Sequence, residues 1–98
     1  MKNKVFINEE IFDTADAKVS AFDRGYLFSD GVYELIPYFK SKPFLFEAHF
    51  SRLKNSLKMV GIDNPYEDAP FKNKIDNFLE NCSYDNFYLY IQITRGAP

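Results

Sequence analysis

Asp23-Arg24-Gly25-Tyr26-Leu27-Phe28-Ser29-Asp30-Gly31-Val32-Tyr33-Glu34 runs from a turn-rich stretch into a β-branched and aromatic one. Asp23-Arg24-Gly25 and Ser29-Asp30-Gly31 place glycines at a spacing that predicts backbone with positive φ. Val32 to Phe39 then reads as a strand. Pro37 interrupts it and has no N–H for the ladder, so the strand is expected to lie at a sheet edge or to bulge there. Upstream, Val5-Phe6-Ile7 and Ile11-Phe12 flank Asn8-Glu9-Glu10 as a short strand pair around a polar turn. Asp13 to Ser20 reads as loop plus a short strand.

Downstream, Lys40-Ser41-Lys42 forms a turn into Pro43-Phe44-Leu45-Phe46. Glu47 to Val60 has a helical stripe of Phe50, Leu53, Leu57 and Val60, with Gly61 as its stop. A second helix is expected from about Ala69 to Cys82, with Pro70 in its first turn and Phe71, Ile75, Phe78, Leu79 and Cys82 as its stripe. Phe87 to Thr94 alternates as a strand, with Phe87, Leu89, Ile91 and Ile93 on one face and Tyr88, Tyr90, Gln92 and Thr94 on the other. Strands, two helices and a strand predict one α+β domain, an antiparallel or mixed sheet with two helices on one face. The chain stops at Thr94-Arg95-Gly96-Ala97-Pro98, directly after a strong strand, which reads as a fragment.

The totals narrow the function classes. A 98-residue chain supports one modest core, and 46% hydrophobic content excludes a disordered one. A net charge of −2 without a single-sign block argues against nucleic acid. One cysteine, Cys82, cannot form an internal disulfide, and its stripe position reads as core. No apolar run approaches membrane-spanning length, and Met1 to Asn8 carries no apolar leader after its lysines. A cytoplasmic protein is the expectation. One histidine and one cysteine offer no zinc constellation, and no Walker-type loop is present.

Three segments in order resemble the fold-type IV (class IV) pyridoxal-phosphate (PLP) enzymes. The first is Asp23 to Glu34, whose Gly31-Val32-Tyr33-Glu34 form is similar to the D-amino-acid aminotransferase branch. The second is Phe44-Leu45-Phe46-Glu47-Ala48-His49-Phe50-Ser51-Arg52-Leu53, with its His-x-x-Arg-Leu pattern, and the third is Tyr90-Ile91-Gln92-Ile93-Thr94-Arg95-Gly96. The departures are Asn8-Glu9-Glu10 where the family often has a glycine, Ser29 where glycine is usual, and Pro37 within the strand.

The resemblance implies the small N-terminal domain of such an enzyme. It assigns Arg52 to the PLP phosphate and Tyr33 to the substrate carboxylate, the two converging on a shared cleft. Taken by themselves, Arg52 reads as a solvated helix arginine and Tyr33 as a core tyrosine. His49 either orients Arg52 or another site group, or bonds nearby backbone; Arg95 and Thr94 border the pocket or merely end a strand. Asp23 and Arg24 organise the turn. The catalytic lysine is expected beyond Pro98, so no catalytic residue lies in this chain. Lys54, Lys58, Lys72 and Lys74 fall off the apolar stripes and read as solvated. Association costs on the order of 4–15 kcal/mol, more than one guanidinium returns, so the chain alone is not expected to hold PLP. The parent would be a homodimer exchanging an amino group between an amino acid, D-alanine type favoured, and a 2-oxo acid. Branched-chain aminotransferases and aminodeoxychorismate lyases share the fold. The alternative is a free-standing, non-catalytic binding or dimerisation module.

Overall fold

Lys4–Ile7 (β1) and Glu10–Asp13 (β2) pair antiparallel, Val5 opposite Phe12 and Ile7 opposite Glu10. Asn8 and Glu9 turn the chain with φ of 46° and 78°, the hand of turn that matches strand twist. The computed structural model describes residues 3–98; Met1 and Lys2, where the leader reading begins, lie outside the described residues. The chain divides into two compact units, Met1–Val19 with Tyr66–Ser83, and Ser20–Pro65 with Tyr84–Pro98.

In the first unit the hairpin is tied to the helix α3, Asp68–Leu79. Glu9 lacks the freedom of glycine at positive φ, and its carboxylate compensates by accepting from the Tyr66 hydroxyl and from Lys74 Nζ, each at 2.6 Å. Burial, with Glu9 as acceptor, pushes the Tyr66 phenol up to about 12. Phe6 meets Phe78 edge-on at 6.0 Å, and Phe71 and Ile75 are the buried residues of α3. The helix ends before Cys82, which therefore lies beyond the stripe expected to hold it, its N–H bonded to the Leu79 carbonyl at 2.9 Å. Thr14–Asp16 forms one 3-10 turn, and the short strand expected between Asp13 and Ser20 is not there.

The second unit is built on β3 (Gly31–Phe39), which lies between β4 (Lys42–Pro43) and β5 (Phe87–Thr94), all antiparallel. Tyr33 opposes Gln92, Glu34 opposes Ile91 and Ile36 opposes Leu89. The pleat buries Glu34, Ile36, Tyr38 and Leu89 on one face and leaves Tyr33, Leu35, Tyr88 and Tyr90 exposed on the other. The helix α2, Phe46–Val60, covers the inner face with Phe46, Phe50, Leu53 and Leu57. Each such side chain contributes about 1.5–3 kcal/mol on burial. Gly61, at φ 72°, stops the helix as read from sequence, whereas Val60 is exposed.

Pro37 neither bulges nor breaks β3. It stands in register with Tyr88 while its carbonyl accepts from Phe44 N–H at 2.8 Å. The nitrogen of an antiparallel residue lies on the same side as its carbonyl, so the missing donor faces away from β5, where two-residue β4 has already ended.

The stretch before β3 also departs from expectation. Arg24–Phe28 is a five-residue helix, α1, capped by Asp23, which accepts from Gly25 N–H at 2.8 Å. The left-handed residue is Ser29, φ 55°, and neither Gly25 nor Gly31 has positive φ. Those glycines permit close approach instead. A Cβ on Gly25 would collide with Thr94 Cγ2, and one on Gly31 would lie 2.7 Å from the Ile93 carbonyl oxygen. Backbone in a paired strand cannot step aside, so Gly31→Ala is expected to destabilise by about 1–3 kcal/mol; a thermal melt equal to wild type would contradict this.

The α+β class read from the sequence is the one observed. The strands make two small antiparallel sheets, and the two long helices divide between the units, α2 with the three-stranded sheet and α3 with the hairpin.

Candidate functional site

A carboxylate on the inner face of a sheet must find partners to offset its lost hydration. Glu34 is 3% exposed and finds two, both from α2. Arg52 Nε donates to Oε2 at 2.7 Å and Arg52 Nη2 to Oε1 at 2.8 Å, a parallel fork. His49, one turn earlier, places Nδ1 2.9 Å from Oε1. The Arg52 guanidinium, aided by His49, holds the Glu34 carboxyl below its ordinary 4.5 against the opposite push of burial. An ionised carboxylate only accepts, so His49 Nδ1 carries the hydrogen in this contact. His49 thus touches Glu34, the group that also holds Arg52.

Glu34 was not singled out from sequence. The signal was present: period two puts it on the face of Ile36 and Tyr38, where an unpaired charge is untenable, and His49 and Arg52 share a helix side at i and i+3.

The fork fixes which edge of Arg52 is left over. A guanidinium has five N–H donors in one plane. Glu34 occupies the side-on edge, Nε with one Nη. The end-on edge remains, on a side chain that is 68% exposed.

Tyr33 lies on the other face of the pleat from Glu34. The residue is 64% exposed; its ring stacks on Tyr90 at 5.8 Å between centroids, and it borders an open depression of about 300 Å³ with Gly25, Ser29, Gly31, Val32 and Gln92. Arg52 and Tyr33 therefore do not share one face of the sheet. Over residues 31–36 no strand among the described residues pairs with β3 on the β4 side. Arg52 does not line the depression beside Tyr33.

Arg95 sits elsewhere. Its Nε donates to Asp30 Oδ2 at 2.7 Å, and its two Nη donate to the Val60 and Gly61 carbonyls at 2.7 and 3.2 Å. Arg24 Nε reaches the same Asp30 oxygen at 3.0 Å. Arg95 thus joins the end of β5, the start of β3 and the last carbonyls of α2, and does not join the Glu34 cluster. Arg95 and then Arg24 hold Asp30 below its ordinary 3.8. Among the lysines read as solvated, Lys72 pairs with Asp76 and Lys74 with Glu9, while Lys54 lies over the Phe50 ring at 5.0 Å. Among the described residues no three His, Cys, Asp or Glu side chains group to hold a metal, and no helix is long and apolar enough to cross a membrane.

These lowered carboxylates set an acid dependence. Each stabilises the fold above its ordinary value, and the contribution is lost as pH falls through the lowered one. The melting temperature is expected to hold down to about pH 5 and fall below it. Glu34→Gln should make that fall shallower; an acid limb identical to wild type would contradict the assignment.

The class IV amino-transferase family model matches residues 31–98. D-alanine aminotransferase of Staphylococcus epidermidis is 42% identical over 94 residues, which cover 96% of this chain and 33% of that one. The branched-chain aminotransferase of the thermophilic archaeon Thermoproteus uzoniensis superposes with a TM-score of 0.84 at 22% identity, over all of this chain and 35% of that one. A hypothetical aminotransferase from Mycobacterium tuberculosis, in a PLP-bound form, superposes with a TM-score of 0.76 at 24% identity, over 91% of this chain and 32% of that one. The chain thus spans about a third of the length of its curated relatives. The family match covers β3 with Glu34, α2 with His49 and Arg52, and β5 with Arg95 directly after it, so it does not depend on Arg52 and Tyr33 sharing one face: this chain belongs to the class IV aminotransferases.

Proposed function

We propose that this chain is the N-terminal small domain of a PLP-dependent aminotransferase that moves an amino group between a D-alanine-type amino acid and a 2-oxo acid. The observation that carries the reading is the exposed end-on edge of Arg52, pinned on buried Glu34. That edge presents two parallel N–H donors, the geometry a phosphate dianion accepts. PLP, when bound, supplies the electron sink for the substrate's α-carbon.

The chain's own residues do the holding. Arg52 anchors the phosphate. Tyr33 donates its phenol hydrogen to the substrate carboxylate without adding charge, and the Tyr90 ring limits its swing. We assign the proton-moving lysine to the two thirds of the relatives' length that this chain does not span. The Gly31-Val32-Tyr33-Glu34 form and the D-alanine aminotransferase relatives support a D-amino acid. We read the enzyme as a cytoplasmic homodimer; the exposed Leu35, Tyr88 and Tyr90 on the outer sheet face are apolar surface in want of cover.

The test is an assay of the enzyme containing this domain with D-alanine and 2-oxoglutarate. Pyruvate is the expected product. Turnover of L-leucine with none of D-alanine would contradict the substrate assignment. The 98-residue chain given PLP and both substrates is expected to form no pyruvate.

A further inference from the structure

We infer that Glu34 is a positioning residue for the cofactor phosphate: it selects which edge of Arg52 faces the ligand. The inference rests on the phosphate role proposed for Arg52. A long arginine on an exposed helix turn samples many rotamers, and ordering it at the moment of binding costs affinity. Here the ordering is already done. Both Glu34 oxygens are engaged, Oε2 by Arg52 Nε at 2.7 Å and Oε1 by Arg52 Nη2 at 2.8 Å and by His49 Nδ1 at 2.9 Å. The carboxylate is itself buried on a paired strand: β3 pairs with β5 from Gly31 to Tyr38, and Glu34 is 3% exposed. His49, whose side chain is 17% exposed, is the second donor on Oε1. The fork consumes the side-on edge, so the end-on edge is the only paired-donor surface that Arg52 can offer a phosphate. A lysine at position 52 could reach Glu34 or the phosphate, but one ammonium has no second planar edge with which to serve both.

The experiment has two parts. In the full chain, the Arg52 Nε–H resonance is followed by NMR. It is expected to be sharp and protected from solvent exchange, and in Glu34→Gln to exchange about tenfold faster. In the holoenzyme, the PLP dissociation constant is measured for wild type, Glu34→Gln and Arg52→Ala. Glu34→Gln keeps the side-chain volume, and its dissociation constant is expected to rise about tenfold, with less effect on kcat at saturating cofactor. Arg52→Ala is expected to rise further, and adding Glu34→Gln to it should change little, because the two act as one unit. A rapidly exchanging Arg52 Nε–H in the unsubstituted chain overturns the proposal without any variant. An unchanged dissociation constant in Glu34→Gln alongside a weakened Arg52→Ala overturns the positioning role and leaves the phosphate role standing. An unchanged Arg52→Ala removes the phosphate role itself.

Discussion

Arg52→Ala is expected to weaken PLP binding by the enzyme by about a hundredfold or more, since two charge-assisted hydrogen bonds to the phosphate disappear together. The loss falls on cofactor affinity first. At cofactor concentrations high enough to refill the site, kcat should recover in part, because Arg52 does not touch the reacting carbon. Arg52→Lys should restore little, as a single ammonium cannot reproduce a planar fork on Glu34 together with a paired edge toward the phosphate. A spectrophotometric titration of the apoenzyme with PLP reads this directly. A dissociation constant within a factor of about two of wild type would remove Arg52 from the cofactor site.

Leu53→Ala carries the largest expected cost in stability. Leu53 is 1% exposed on α2, beside the helix turn that holds His49 and Arg52. Truncating a buried leucine costs about 2–5 kcal/mol, the transfer of its methyl groups plus the cavity left behind. In a domain of this size that shifts the melting temperature by roughly 10 °C or more. The same change should loosen the PLP site, because α2 carries both partners of Glu34. Chemical denaturation measures the stability loss, and a change under about 0.5 kcal/mol would mean that α2 does not anchor this core.

Much of this architecture is legible in local residue patterns, and the exceptions have physical causes. The apolar stripe Phe50, Leu53, Leu57 and the alternation of Phe87 to Thr94 are strong signals, because burial on one face imposes them. Helix α1 is hidden by its brevity and by glycine: Arg24–Phe28 has no buried residue, and its start depends on one Asp23 cap. Gly25 and Gly31 suggest positive φ, yet their role is to let β5 approach, a tertiary fact invisible in local sequence. Pro37 is tolerated because β4 is two residues long, which depends on how the turn after β3 closes. The site is half legible. Arg52, Tyr33 and His49 draw their roles from motifs, whereas Glu34, in the same motif as Tyr33, gains a role only once strand parity is set beside the helix spacing. That Tyr33 and Arg52 lie on opposite faces of the pleat follows from the same parity, Tyr33 and Glu34 being neighbours on one strand.

The most direct measurement is a crystal structure of the enzyme containing this domain with PLP bound. The account predicts the phosphate against the end-on edge of Arg52, within hydrogen-bond reach of Nη1 and Nη2, with Nε still seated on Glu34. A phosphate bound elsewhere, or an Arg52 that has left Glu34 to meet it, would contradict the account.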